Sequence, residues 1–281
     1  MPDTGKPRPP MKWPGDAYLA LSVVVAFEAF HTASQYLPRP GTPGKPDPSS
    51  LSYAEYGPKT GIWRILRLLD SEGIKAGFHV NGLAAERWPL TLKEIHRRGH
   101  DICAHGWSND NVGDPSPEQE VKDVHDTLGI IEKVLGFRPV GWSSPGSKGS
   151  DLKYDTLVDA GVTWIGDDAS DDVPFLETLR GKAVVIMPRN NLSSNDLTLW
   201  LKPSNPPVVY VDSFKDCFDE LYQEGKDGSP KWTEIVIHCH IGGRPGLIPA
   251  IRKTIQYAKR HPKVWIAHRG DIAKWVMQQY G

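Results

Sequence analysis

Short apolar, β-branched runs alternate with amphipathic helical runs almost to the end of this 281-residue chain, and that alternation limits the fold more than any other feature. The strand-like runs are Leu19–Phe27, Ala76–Val80, Asp101–Ala104, Val140–Ser143, Val162–Ile165, Ala183–Met187, Val208–Val211, Glu234–His238 and Lys263–Ala267. Strands joined through helices return to the same end of a sheet, so a mainly parallel sheet or barrel follows. Between them, Ser116–Leu135 reads as a helix: Ser116 and Gln119 form a capping box, Pro117 suits the first turn, and Gly136 stops it. Further helices are expected over Thr60–Ser71, Ser213–Glu224, Pro249–Arg260 and Asp271–Gln279. The length suits one domain over residues 1–281. Two stretches break the rhythm: Pro38–Ser50, read as an insertion loop over the barrel mouth, and Asn190–Pro207, either a lid or an inert surface loop.

In such folds chemistry collects where strands end. The Glu234–Pro245 block, EIVIHCHIGGRP, delivers His238, His240 and Arg244 there, and Gly99–Asn109 delivers His105, Trp107 and Asn109. Glu28 closes the first strand and is either a general base, with its pKa raised by desolvation, or a strand-end carboxylate reaching solvent. Trp107 either walls a site or only packs. The segment WIGDDASDDVPF offers Asp167 and Asp171 as substrate-binding candidates, or is a solvated acidic turn. Trp142, Ser143 and the turn through Gly146 follow another strand and are candidates for oxyanion or substrate contacts, with Arg189 taken beside them. His238 and His240 alternate along a strand, so they are expected to face opposite ways and not to share one ion.

Composition removes several classes. With 33 basic and 34 acidic residues, net charge −1, there is no footprint for nucleic acid. Three cysteines, Cys103, Cys217 and Cys239, lack C-x-x-C spacing, so neither a disulfide framework nor a cysteine metal site is indicated. No apolar run suggests a signal peptide or a membrane span, and a cytoplasmic protein is expected.

The pieces KWPGD, SYAEYGPKTGIWRILRLLD, GHDICAHGWSN, SDDVPF, NNLSSNDL, VIHCHIGGRP and HPKVWIAHRGDIAKW, in this order, resemble the polysaccharide deacetylase (NodB-homology) superfamily, in particular its metal-independent allantoinase branch. The resemblance implies an irregular, incomplete (β/α) barrel with its site at the strand C-termini. Metal-dependent members carry T-F-D-D-G and H-[ST]-x-x-H. Here the first reads Ala26-Phe27-Glu28-Ala29-Phe30, and the second ends in Asn109, a poor transition-metal ligand. The R-x-P motif reads Ser143-Ser144-Pro145. Allantoinases of this branch resemble N-Y-E-E-G at the first motif and place an arginine where this chain has His240.

These likenesses and departures imply a hydrolase that opens a cyclic imide, hydantoin or allantoin-like ureide, needs no cofactor, and assembles as a homo-oligomer. Glu28, His105 and His238 are its expected catalytic residues. The expected pocket is walled by Ala26, Phe27, Ala29, Phe30, Trp107 and Trp142, with oxyanion donors from Arg244 or the Trp142–Gly146 turn. The rival readings are a zinc-dependent polysaccharide or peptidoglycan N-deacetylase, with Glu28, His105 and Asn109 on the ion, and a non-catalytic relative.

Overall fold

The computed structural model describes residues 10–32, 34, 37, 45–110, 115–147, 149–201 and 204–281. Among these, the strands are β1 (Leu19–Phe27), β2 (Gly77–Val80), β3 (Asp101–Ala104), β4 (Gly141–Trp142), β5 (Trp164–Ile165), β6 (Phe175–Leu179), β7 (Lys182–Ile186), β8 (Lys231–His238) and β9 (Val264–Ile266). The helices are α1 (Pro48–Tyr56), α2 (Ile62–Glu72), α3 (Gly82–Arg87), α4 (Pro89–Arg97), α5 (Pro117–Leu135), α6 (Asp151–Asp159), α7 (Pro207–Lys226), α8 (Ile248–Lys259) and α9 (Arg269–Tyr280). The sheet order is β6-β7-β5-β4-β3-β2-β1-β8, with β9 also paired to β1. Every pairing is parallel except β6 with β7. β7 and β8 are not paired. An isolated bridge from Asn195 to Val236 and the Trp232 side chain, bonded to the Pro188 carbonyl at 3.1 Å, link that gap. The result is the incomplete barrel expected.

Side-chain alternation decides what each strand contributes. On β1, Leu19, Leu21, Val23, Val25 and Phe27 belong to the core shared with the helices, whereas Ala20 packs in the inner cluster with Cys103, Trp164, Val185, Met187 and Trp232. Ile272, Ala273 and Val276 of α9 pack against that inner cluster. Inner positions therefore recur as 20, 22, 24 and 26 on β1, with 28 just beyond its end, and as 232, 234, 236 and 238 on β8.

Some expectations are corrected here. Val208–Val211 is not a strand but the start of α7: Tyr210, Val211, Phe214, Phe218 and Leu221 form one buried face at helical spacing. β6 was not foreseen. It pairs antiparallel with β7 across Arg180-Gly181, both at positive φ (52° and 73°), as a tight hairpin requires. Residues 38–44 of the expected mouth loop lie outside the described residues, and its end is already helix, with Asp47 capping α1. Helices α1, α3, α4 and α6 were likewise not anticipated.

Candidate active site

The inner rows end in polar groups around one cavity of about 350 Å³, at the small end of ligand pockets. Continuing its row past Val24 and Ala26, β1 supplies Glu28. His79 comes from β2, His105 lies two residues beyond Cys103, Arg189 two beyond Met187, and His238 two beyond Val236; all line the cavity, together with Asn109 and Arg269. A period-two backbone thus carries each group from the apolar row into the mouth.

Glu28 is 3% exposed. Its Oε1 accepts from Asn109 Nδ2 at 2.6 Å and faces His105 Nε2 at 3.3 Å, while Oε2 is buried without a protein partner. The orientation of Asn109 is settled by Asn81. Asn81 Oδ1 accepts from the Ala29 N–H (3.1 Å), so Asn81 Nδ2 must face Asn109 Oδ1 (3.1 Å), and Asn109 then turns its N–H to Glu28. His105 Nδ1 donates to the Ser143 carbonyl, which leaves Nε2 to face Glu28. Desolvation alone raises the Glu28 pKa, as the sequence led us to expect. The correction is that the charge of His238, the hydrogen bond and charge interaction with His105, and His240 outweigh it and lower Glu28 from 4.5 to about 2.

His238 moves the opposite way. Burial works to lower its pKa, but Asp196 and Glu28 raise it to about 9. Asp196 bonds Nδ1 at 2.6 Å, so Nε2–H is left for the cavity. The site therefore rests as a carboxylate beside an imidazolium.

Other candidates are placed elsewhere. Trp142 is wholly buried in the core shared with the helices, one register position away from the inner face, and bonds Ser144 Oγ at 2.9 Å; it does not line the cavity. Phe27 and Ala29 belong to the same core, Phe30 to a small cluster with Leu37 and Ala54, and Trp107 packs on Gly82. Of the expected apolar wall only Ala26 lines the cavity. In the Trp142–Gly146 turn, Ser143 N is used on the Ala104 carbonyl (3.0 Å) and Ser144 N on Asp167 (2.5 Å), so these two offer no oxyanion donor, while Gly146 lines the cavity. Ser143 Oγ accepts from Arg189 at 3.0 Å, and Asp167 faces Arg189 at 3.6 Å; both hold Arg189 without lining the cavity. Asp171 accepts from the Val173 N–H in a local turn. The Arg244 guanidinium lies over the Tyr53 and Tyr56 rings, 3.8 and 4.1 Å from their centroids, and is absent from the cavity wall. His240 is also off the wall, edge-on to Phe30. It does not point away from His238 as strand alternation suggested: β8 ends at His238, the chain turns, and the two rings stand 5.9 Å apart.

Five residues escaped the sequence reading: Asp196, His79, Asn81 and the buried pair Glu234–Arg269. Asp196 sits in the stretch read as a lid or inert loop, of which Asn191, Leu192, Asn195, Leu197 and Thr198 line the cavity. A signal for Arg269 existed, since Ala267-His268-Arg269-Gly270 follows a strand-like run just as His238 does.

The trio Glu28, His105 and Asn109 does not fit a zinc ion. Asn109 presents a hydrogen-bond donor to Glu28, and its oxygen is engaged by Asn81. Among the described residues no three His, Cys, Asp or Glu side chains are grouped so as to hold a metal.

The polysaccharide deacetylase family model matches residues 45–165. A Schizosaccharomyces pombe protein named as a polysaccharide deacetylase is 28% identical over 97% of this chain and 94% of its own length. Among solved structures, Puue allantoinase has a TM-score of 0.88 at 30% identity, covering 98% of this chain and 96% of that one. A probable polysaccharide deacetylase from Pseudomonas aeruginosa PAO1 has 0.85 at 30%, covering 95% and 94%. The chain belongs to the polysaccharide deacetylase family and has its (β/α) barrel. Family and likeness together support a hydrolase of carbon–nitrogen bonds. Among the described residues no helix is long and apolar enough to cross a membrane.

Proposed function

We propose that this protein opens the ring of a cyclic amide (a cyclic imide, a hydantoin or an allantoin-like ureide) by hydrolysis of a C–N bond without a metal. The observation that carries this reading is the opposed shift of two groups across one small cavity, Glu28 down to about 2 and His238 up to about 9. Pairs of titratable groups driven apart in this way divide acid and base roles.

Water donates to the buried Glu28 Oε2 and attacks the ring carbonyl, and its proton passes to that oxygen, with His105 Nε2 beside the carboxylate at 3.3 Å. The oxyanion faces Arg189, which lines the wall. His238 Nε2–H gives its proton to the ring nitrogen as the C–N bond breaks, leaving one open chain with a carboxylic acid and an amide (from an imide) or a urea group (from a hydantoin or ureide). As His238 loses its charge, the main influence holding Glu28 down disappears and Glu28 becomes a better base, so the two transfers reinforce each other. An imide nitrogen departs with its charge delocalised onto the remaining carbonyl, so proton donation suffices where a sugar amine needs a Lewis acid.

The test is turnover of succinimide, hydantoin and allantoin by purified protein, beside acetate release from N-acetylglucosamine oligomers. Ring opening is expected. Acetate release without ring opening overturns the reading.

A further inference from the structure

Two buried groups on the floor of the cavity end without a partner. Arg269, the first residue of α9, is 1% exposed and binds Glu234 through Nε (2.9 Å) and Nη2 (2.7 and 2.6 Å). Glu234 stands opposite Ser22 in the sheet register, four residues below His238, which marks this as the cavity floor. Nη1 of Arg269 is buried and donates to nothing in the protein. It reaches its place because residue 166 is glycine: a Cβ there would lie 2.2 Å from Nη1. His79 Nε2, on the inner face of β2, is likewise buried without a partner, and both side chains line the cavity. Buried polar groups are rarely left unpaired, and such groups in a ligand cavity are poised for the ligand.

Charge then narrows what they meet. Arg269 faces Glu234 at 2.6 Å, Arg189 faces Asp167 at 3.6 Å, and His238 faces Asp196 at 2.6 Å, so each cation already has its own carboxylate, with Glu28 as a fourth. Donors without surplus positive charge suit a neutral oxygen and disfavour an anion.

We propose that Arg269 Nη1 and His79 Nε2 donate to the second carbonyl of a neutral substrate, the one that water does not attack, and so select rings with two carbonyls over lactams with one. This deepens the ring-opening reading and rests on it. The experiment measures equilibrium binding in Glu28→Gln protein, which keeps the ring intact. The probes are succinimide, 2-pyrrolidinone (the same ring less one carbonyl) and the anion succinamate. Succinimide is expected to bind roughly ten- to a hundredfold tighter than 2-pyrrolidinone, and succinamate weaker than succinimide. Adding His79→Phe, or Arg269→Lys, which keeps a cation for Glu234, should bring the succinimide preference within about threefold without weakening 2-pyrrolidinone. Equal affinity for the two rings, binding of neither, or an unchanged preference in a folded His79→Phe protein overturns the proposal. If Arg269→Lys does not fold, the ring comparison and His79→Phe decide. A preference without turnover removes the ring-opening reaction and leaves the carbonyl site; turnover without a preference does the reverse.

Discussion

Asp196 Oδ1 lies 2.6 Å from Nδ1 of His238, and its other oxygen accepts from the backbone N–H groups of His238 and Gly242, each at 2.8 Å. One buried carboxylate therefore orients the ring, fixes its tautomer and organises the turn that follows β8. Asp196→Asn keeps the size and removes the charge. Turnover should fall by roughly 10²–10⁴, and the alkaline limb of kcat/KM, set near 9 by His238, should move to lower pH. A pH–rate profile with an unmoved limb would show that His238 is not the acid.

Glu28→Gln should lower kcat by roughly 10²–10⁴ while the protein stays folded. Stability should respond to pH in a defined window. The folded pKa of Glu28, about 2, lies below its ordinary 4.5, so its contribution is present above 4.5 and lost as pH falls through about 2. That of His238, about 9, lies above 6.5, so its contribution is full below 6.5 and lost as pH rises through about 9. Both are complete between 4.5 and 6.5. The Tm advantage of wild type over Glu28→Gln should be greatest there and shrink toward either extreme; a pH-independent difference contradicts the pairing.

Dialysis against a chelator should leave ring-opening activity within about twofold, and added zinc should not raise it. The reason is the Asn109 N–H turned toward Glu28. Activity that vanishes on dialysis and returns with zinc would falsify the metal-free mechanism.

Trp142→Ala should cost about 3–5 kcal/mol of stability, as the removal of a large buried aromatic does, while KM of the folded protein changes by no more than about twofold. Trp142 faces the helices and not the cavity. Denaturant titration and Michaelis kinetics on one preparation separate the two effects.

Glu28, His105 and His238 were legible because a histidine or carboxylate closing an apolar run can be read from a strand's own residues. Trp142 was misplaced because β4 is two residues long, and a one-residue difference in phase moves a side chain to the other face. His240 was misread for a related reason: alternation holds only while the strand lasts, and β8 stops at His238. Asp196 reaches His238 across 42 residues of sequence, and Arg269 reaches Glu234 across 35. Such pairings exist only once the barrel curls. The shift of Glu28 was predicted in the wrong direction because burial is a local property, whereas the histidines that reverse it come from other strands.

Under the proposed ring opening, the surplus carboxylate at Glu28 bears on release of the product. In that reaction a neutral ring would depart as an anion, its new carboxylate formed in the cavity that Glu28 lines and where Arg189, Arg269 and His238 are each already paired. Like charges at close range in a small cavity repel, so the opened chain should be expelled faster than its parent ring. The same repulsion weakens re-entry of the opened anion, so enzymatic ring closure is expected to slow as pH rises, while the equilibrium itself is left unchanged.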